Sequence, residues 1–303
     1  MTDGSAYLPD GGKTLCIVVA CNDDTYLRQN LLASALVQSG VVVHVERGAS
    51  SAGVAYNRGL DATSAPIVVF AHQDVYFPPG WDRLLWQTLA ELDRQDPDWA
   101  LVAPYGISLA SQHVGDVWST SLGCRLGGPF PTPLPAQSFD ELVIVMRRSA
   151  GLRFDEALPG FHLYGTDIVQ TAKARGRGAY VAWLPVVHND KFHGILGADF
   201  TASYQYLWRK WRGSLPLRTP VLWVRWHGRS LDWLRWLAGR SIDKRRLTAG
   251  DSRTDPHLFS QACGWEDENW PDRRTPGPAA PPPGLRRRLR LWLRHLIWRG
   301  ASA

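Results

Sequence analysis

The 303-residue sequence lacks long apolar runs, since no stretch approaches the roughly 18 uninterrupted apolar residues that a membrane-spanning helix needs. Its first ten residues contain neither a basic nor an apolar segment, so we expect no export signal. The four cysteines show no CxxC spacing, which is typical of reduced residues in a cytosolic protein. Internal repeats and a Gly-rich, Lys-bearing loop for a nucleoside triphosphate are also absent. The sequence therefore predicts a cytoplasmic protein without a membrane span.

The overall composition is that of a globular protein, with 45% hydrophobic and 20% charged residues. These fractions argue against wholesale disorder, a collagen-like fibre and a long coiled coil. The net charge of +6 is unevenly divided. Residues 1–203 carry 14 basic and 20 acidic residues, whereas 204–303 carry 20 basic and 8 acidic residues and 10 of the 15 tryptophans. The first part suits a site that uses carboxylates on metals or sugars, and the second suits an anionic partner.

Alternating apolar strands and amphipathic helices predict an α/β fold. Strands are expected at 15–20, 41–45 and 67–71, and a segment with helical spacing follows each of them. Three successive strand–helix units predict a Rossmann-like, mostly parallel sheet flanked by helices. Residues 101–140 are rich in Gly, Ser and Pro, so we expect a surface excursion there rather than core elements.

We place a domain boundary at residue 203, between an α/β domain and a basic, Trp-rich helical extension. The extension is expected to hold two amphipathic helices, a Pro-rich linker over about 275–284 and a terminal amphipathic helix over 285–299. That terminal helix would be about 22 Å long, too short to span a bilayer. Its Leu/Trp stripe flanked by arginines favours peripheral binding to an anionic membrane, on the inner face. Docking onto protein is the alternative, and nucleic acid is a less favoured partner because no nucleic-acid motif accompanies the helix.

The most informative segment is VVFAHQDVYFPPGW. It places Asp74 just past the carboxyl end of a buried strand, where open α/β sheets bind ligands. His72 lies two residues earlier, on the same side of an extended chain, so the pair can hold one Mn²⁺ or Mg²⁺ ion. Alternatively, Asp74 caps the helix that begins near Pro79 and His72 is structural.

Ordered motifs over roughly residues 14–90 resemble the nucleotide-sugar-dependent glycosyltransferases of GT-A fold, family 2 and its relatives. The segment CIVVACNDDTYLRQNLLASALVQ is similar to the first strand of that family, its Asn-plus-acid turn and the helix that follows. The segment VERGASSAGVAYNRGLDATSAPIVVFAHQDV resembles the family's second strand, its Gly/Ser loop, its Asn-containing helix and its metal motif. HQD stands where Asp-x-Asp is usual, as in a glycosyltransferase-like subgroup. The resemblance implies a GT-A domain.

The resemblance also implies a nucleotide-sugar pocket. Asn22 and Asp24 would line it after the first strand, Glu46 would take the place of the acid that meets the base, and Asn57 would lie beside the diphosphate or brace the loop. His72 occupies the position of the first Asp of the motif, which contacts ribose and metal. The alternatives are that Asn22 and Asp24 cap a helix and that Asn57 is a solvated helix residue.

Two later segments complete the expected site. In GFHLYGTDIVQTAKARG the resemblance makes Asp167 the general base that takes the proton of the acceptor hydroxyl, with Thr166 where a first acid often lies. The alternative is a helix-start Asp, and His162 and Tyr164 are expected to border the acceptor pocket. In VAWLPVVHNDKFHG the family implies that His188 completes the metal site of Asp74 and His72. His193 is the less favoured ligand, and a lone His after a strand is otherwise structural.

The sequence therefore predicts an inverting, metal-dependent glycosyltransferase that moves a sugar from a nucleoside diphosphate-sugar to an acceptor hydroxyl, with Mn²⁺ or Mg²⁺ as cofactor. Inversion follows from the single displacement expected in the resembled family. One alternative is a nucleotidyltransferase, which would use a nucleoside triphosphate. Another is a non-catalytic adaptor, in which a degenerate sugar-nucleotide domain carries the Arg/Trp helices to a membrane or partner.

Overall fold

The computed structural model describes residues 15–266 as a mixed α/β fold. The strands are β1 (Leu15–Cys21), β2 (Val42–Arg47), β3 (Ile67–His72), β4 (Val75–Tyr76), β5 (Trp99–Ala103), β6 (Tyr105–Ser108), β7 (His113–Ser119), β8 (Cys124–Gly127), β9 (Leu134–Phe139), β10 (Val143–Arg147), β11 (Gly178–Val181), β12 (Val186–His188), β13 (Leu217–Arg218) and β14 (Trp223–Val224). The helices are α1 (Asp24–Gln29), α2 (Ala35–Gln38), α3 (Ala52–Asp61), α4 (Trp81–Gln95), α5 (Tyr164–Ala174), α6 (Ala198–Lys210), α7 (Ser230–Thr248) and α8 (Pro256–Ala262). The α/β expectation is confirmed.

The first three strands pair in parallel, with β1 between β2 and β3, in a sheet that mixes parallel and antiparallel pairs overall. Both faces of β1 are buried, as expected for a strand covered by helices on two sides. Ile17 belongs to an apolar cluster with α4 residues such as Leu85, and Val18 belongs to a second cluster with Tyr56 of α3. At Gly59 of α3 an added Cβ would collide with the side chain of Val18, so the absence of a side chain lets the helix approach the strand.

Residues 101–140 contain core strands, so the prediction of a surface excursion there is wrong. β5 is completely buried and lies between β10 and β11. β6, β7, β8 and β9 extend the sheet through antiparallel pairs. The sequence signal is weak because these strands are short, are separated by Gly and Pro turns and contain polar residues. Asp116, for example, is fully buried in β7, where it pairs with Arg125 and accepts a hydrogen bond from Trp183.

The sheet curls so that its far end returns to β3. Its strand order is β2-β1-β3-β10-β5-β11-β9-β6-β7-β12-β4. Only Gln73 and Asp74 separate β3 from β4, yet β4 pairs with β12 at the opposite end of this order. The backbone N–H of Asn189 also donates to the carbonyl of Asp74 at 2.8 Å. The carboxyl ends of β3 and β12 therefore meet.

The segment after β12 packs as a smaller apolar unit. α6, the β13–β14 hairpin and α7 share a cluster that includes Phe200, Leu222 and Leu231. The two helices expected after residue 203 correspond to α6 and α7, but residues 221–224 belong to the hairpin instead of the start of the second helix. The division at residue 203 stays a prediction, and that residue lies inside α6.

Two further predictions concern the end of the chain. The linker at 275–284 and the terminal helix at 285–299 lie outside the described residues. Among residues 15–266, no helix combines the length and the apolar character that crossing a membrane requires.

Candidate functional site

Three side chains from two strand ends form a cluster of metal-ligand type. His72 ends β3, Asp74 follows it after one residue, and His188 ends β12. Their ligand atoms all lie within 4.8 Å of one another, and Nε2 of His188 is 3.4 Å from Oδ1 of Asp74. They meet because β4 pairs with β12 in a register that sets His188 opposite Val75. The structure thus brings together the three residues that the sequence predicted as metal ligands.

The donor atoms of this cluster fit a divalent cation. Oδ1 of Asp74 is buried and accepts no hydrogen bond of regular geometry. The hydroxyl of Tyr164 donates to the carbonyl of Glu141 at 2.8 Å, so its oxygen accepts from Nε2 of His72 at 2.7 Å. This hydrogen bond orients the His72 ring and leaves Nδ1 with a lone pair for a metal. Two imidazoles and one carboxylate suit Mn²⁺ better than Mg²⁺, which prefers oxygen ligands.

The charges within the cluster differ strongly between its members. Burial lowers the pKa of His72 to about 4, so its ring is neutral. Burial also acts to raise the pKa of Asp74, but the charge of nearby His188 outweighs it and holds the pKa well below its usual value. Burial acts to lower the pKa of His188, and the carboxylates of Asp190 and Asp74 reverse this and raise it to about 10. In the absence of a cation, His188 and Asp74 therefore form an ion pair.

The cluster opens into a cavity of about 700 Å³ at the carboxyl ends of β1, β2 and β3. Asn22 and Glu46, two of the residues expected in the nucleotide pocket, line this cavity together with the backbone around Gly48. His162 and His193 line it as well, and Nε2 of His162 is 3.1 Å from Asp199. Its position at the strand ends and its size are those of a small-molecule site.

Gln73, which the sequence analysis did not single out, ties two parts of the site together. Its Oε1 accepts the backbone N–H groups of Asn22 at 3.0 Å and Asp23 at 3.1 Å. Its Nε2 donates to Oδ1 of Asn22 at 2.6 Å. The middle residue of HQD therefore fixes the loop after β1. The sequence did offer a signal for Gln73: it lies between two proposed metal ligands, so it must also lie at the carboxyl end of β3.

Asp24 and Asn57 are not among the residues that line the cavity, and their contact with the nucleotide stays a prediction. The carboxylate of Asp24 pairs on the surface with Arg47 at 2.6 Å. Asn57 is 2% exposed and donates to the carbonyl of Phe154 and to Glu156, both at 2.9 Å, while it accepts from the N–H of Phe154. Asn57 thus braces the loop after β10, because the hydrogen bonds of its amide group all go to residues of that loop.

The structure also does not support Asp167 as the general base. Asp167 is 2% exposed and is absent from the lining of the cavity. Its carboxylate accepts from Nζ of Lys210 at 2.8 Å and from Nε1 of Trp211 at 2.7 Å. Burial raises its pKa, and Lys210 offsets this only in part. α5 begins at Tyr164, and this helix turns Asp167 toward α6 rather than toward the cavity.

Other acids line the cavity instead. Asp140 and Glu141 lie in the turn between β9 and β10, and Asp190 follows β12. Asp190 accepts the N–H of Ser121 at 2.9 Å. Burial raises the pKa of Asp140, and burial together with neighbouring Asp140 raises that of Glu141 well above its usual value. Sequence reasoning missed these residues, although two adjacent acids directly before an apolar strand were a usable signal.

Comparison with known proteins gives similarities to solved structures of sugar transferases and to one curated protein. No protein-family model matches the chain. It is 28% identical over 161 residues to the ATP synthase subunits region ORF 6 protein of Fuscovulum blasticum, a match that covers 50% of this chain and 61% of that protein. The chain thus spans less than two thirds of the length of this curated relative.

The solved structures to which the chain is similar include nucleotide-sugar glycosyltransferases, the class that its motifs resemble. One is GalNAc-T7 with UDP, GalNAc and Mn²⁺, at a TM-score of 0.45 and 9% identity over 85% of this chain and 59% of that chain. Another is the mannosyltransferase PcManGT from Pyrobaculum calidifontis in complex with GDP-Man and Mn²⁺, at a TM-score of 0.40 and 12% identity over 89% of this chain and 87% of that chain.

Proposed function

We propose that this protein is a metal-dependent glycosyltransferase that uses a nucleoside diphosphate-sugar. The observation that carries the proposal is the group of His72, Asp74 and His188 at the strand ends, inside a cavity that Asn22 and Glu46 also line. Mn²⁺ or Mg²⁺ held by the three ligands would neutralise the charge that develops on the departing nucleoside diphosphate. The ordered motifs of residues 14–90 support the same donor class.

The residues around the ligands prepare the donor site. Tyr164 orients His72 through the 2.7 Å hydrogen bond, so that the imidazole presents one nitrogen to the cation. Gln73 fixes the loop that carries Asn22. Glu46 at the β2 end offers acceptor oxygens for the N–H groups of a base or the hydroxyls of a ribose. The donor is thereby held before the acceptor enters, which lowers the entropic part of the barrier.

Inverting transfer requires a carboxylate that takes the proton of the acceptor hydroxyl as its oxygen attacks the anomeric carbon. We assign this role to Asp140, which lines the cavity and is raised in pKa by burial, so that its carboxylate is a stronger proton acceptor. Glu141 beside it lines the cavity as well, and its carbonyl accepts the hydroxyl of Tyr164, the residue that orients His72. The bond from the sugar to the diphosphate breaks as the new glycosidic bond forms on the opposite face.

Thermal unfolding of the purified protein tests the donor site. UDP, GDP, their sugar conjugates and the matching triphosphates are each added with Mn²⁺, with Mg²⁺ or with a chelator. A ligand present at one hundred times its dissociation constant stabilises the native state by about 2.7 kcal/mol, which raises Tm by about 5 °C or more. We expect this rise only when nucleotide and cation are both present.

Variants assign that response to the site. Asp74→Ala and His188→Ala should remove the cation-dependent rise, whereas His227→Ala, at an exposed position outside the cluster, should keep it. A folded wild-type protein without any cation-dependent rise contradicts the proposal. A rise with a triphosphate alone points to a nucleotidyltransferase, and a rise without sugar transfer points to an adaptor.

The partner that the basic half suggests is an anionic membrane, and α7 supplies a described surface for it. Trp233 and Trp236 stack at 5.0 Å on its outer side, where they are 46% and 50% exposed. Arg240 lies 5.0 Å from the ring centroid of Trp236. The helix carries five basic and two acidic residues. Exposed tryptophan beside arginine is typical of helices that lie among lipid headgroups, so we place peripheral association on this face and on 285–299.

Co-sedimentation measures this association. Vesicles that contain phosphatidylglycerol should retain the full chain, and vesicles of phosphatidylcholine alone should not. The double variant Trp233→Ser/Trp236→Ser should weaken retention, as should removal of 285–299, while Trp226→Ser, 75% exposed but outside α7, is the matched control. Equal retention of all four proteins rules out both surfaces, and retention on DNA with none on vesicles makes nucleic acid the partner.

A further inference from the structure

The cavity of the metal cluster has a second wall that is mainly apolar. It is built by the segment before α6, by α6, by the β13–β14 hairpin and by α7, and its residues are Leu196, Phe200, Val221, Leu234, Leu237 and Ala238. None of these residues belongs to the motifs that resemble a glycosyltransferase. The smaller apolar unit of α6, the hairpin and α7 therefore forms one side of the cavity.

α7 contributes the longest part of this wall. Its residues that line the cavity fall on one face at helical spacing: the apolar Leu234, Leu237 and Ala238, followed by Ser241 and Arg245 at the polar end. From the first to the last of them the helix rises about 16 Å. Leu237 and Ala238 are only half-buried, so this face is not filled by packing within the protein. Trp233 and Trp236 of the same helix are 46% and 50% exposed and do not line the cavity.

A nucleoside diphosphate-sugar does not match such a wall. Its phosphates, hydroxyls and sugar are polar, and the proposed ligands, Asn22 and Glu46 provide for them on the sheet side. An apolar face open to water is stabilised when apolar groups of a ligand cover it. The occupant that fits this face is therefore the apolar part of a different molecule.

We propose that the α6–α7 wall binds the hydrocarbon chain of the acceptor, so that the acceptor is an amphipathic, hydroxyl-bearing lipid rather than a free sugar. The role of acceptor rests on the proposed glycosyltransferase function, while the binding of a hydrocarbon chain does not. The polar head of such a lipid enters the end of the cavity that Asp140 and His162 line, and its chain lies along α7.

Two glucosides with the same head group separate chain binding from sugar binding. The probes are n-octyl β-D-glucopyranoside, kept below its micelle concentration, and methyl β-D-glucopyranoside. Saturation-transfer NMR on the full chain, without nucleotide or metal, reports which ligand protons touch the protein. Each buried methylene strengthens binding about fourfold, so we expect the octyl compound to bind at least tenfold more tightly, with saturation on its chain protons. Equal binding of the two glucosides, or binding of neither, overturns the proposal.

Two leucines of α7 provide a matched pair of variants. Leu237→Asp places a charge on the cavity wall and should remove octyl glucoside binding, whereas Leu247→Asp, at a position 87% exposed, should leave it unchanged. Ala238→Trp fills the wall without adding charge and should also remove binding, which keeps the test valid if Leu237→Asp does not fold. Equal loss in the Leu247→Asp protein assigns binding to the outer face and overturns the proposal.

The same proteins distinguish this proposal from the proposed function. Leu237→Asp and Ala238→Trp should retain the cation-dependent stabilisation by nucleotide, since neither residue belongs to the donor side. Octyl glucoside binding without any nucleotide response upholds the apolar wall and refutes the glycosyltransferase. A nucleotide response without preference for the octyl chain upholds the transferase and refutes the lipid acceptor.

Discussion

Replacement of Asp167 tests whether its carboxylate has a structural or a catalytic role. Asp167→Ala removes the acceptor of two buried hydrogen bonds, from Lys210 and Trp211. Breaking a buried ion pair from one side costs about 3–5 kcal/mol. The lower end applies here because the side chain of Lys210 is 27% exposed and keeps Asp155 at 2.7 Å. We therefore expect a loss of about 3 kcal/mol, or a Tm lower by roughly 5 °C.

Asp167→Asn should be milder, at about 1–2 kcal/mol, because the amide oxygen still accepts from Trp211. Burial raises the pKa of this carboxyl, which shows that its charge is only partly compensated and that a neutral isostere loses less than alanine does. Urea unfolding followed by circular dichroism measures both variants. Asp61→Asn, in an exposed pair with Arg153, is the control and should not change the stability measurably.

Turnover of the folded fraction decides the role of Asp167. We expect Asp167→Asn to transfer sugar at close to the wild-type rate once the folded fraction is matched. Full stability together with abolished transfer would refute the structural role and restore Asp167 as the base.

The remaining predictions concern the base, the loop and the packing of α3. Asp140→Asn should lower sugar transfer by roughly 10²- to 10⁴-fold, while the nucleotide-dependent rise in Tm persists; loss of both would mean that the residue acts in folding or donor binding. Gln73→Ala removes two acceptors of backbone N–H groups and should weaken nucleotide affinity about tenfold by calorimetry, and unchanged affinity contradicts its role in fixing the loop. Gly59→Ala should destabilise the protein by about 1–3 kcal/mol in urea, whereas Gly213→Ala, with open space around it, should not.

The sequence was most informative where a local pattern coincided with a general rule of α/β folds. The apolar runs gave β1, β2 and β3, and the rule that ligands bind at the carboxyl ends of strands identified His72 and Asp74. His188 came from a family resemblance alone, because no local pattern indicates that β12 pairs with β4.

Long-range packing explains what the sequence did not predict. Asp167 is buried by Lys210 and Trp211, which lie 43 and 44 residues further along the chain. β5 is apolar but only five residues long, and it is buried between β10 and β11, which come later in the chain. β6, β7, β8 and β9 are short and contain polar residues, so none of them alone shows a clear strand pattern. The helical pattern around 223 was overridden because a two-stranded hairpin packs against α6 and α7.

The pairing of β4 with β12 also governs when the site can exist during synthesis. His72 and Asp74 emerge from the ribosome more than one hundred residues before His188. A nascent chain that has released only the first three strands can build the parallel core but has no third ligand. The cation site is thus a product of complete folding, because closing the sheet joins parts of the chain that are far apart in sequence and hence slow to meet. Under the proposed function, a cation held by the three ligands would stabilise the pairing of β4 with β12, so a chain without His188 would lack a complete donor site.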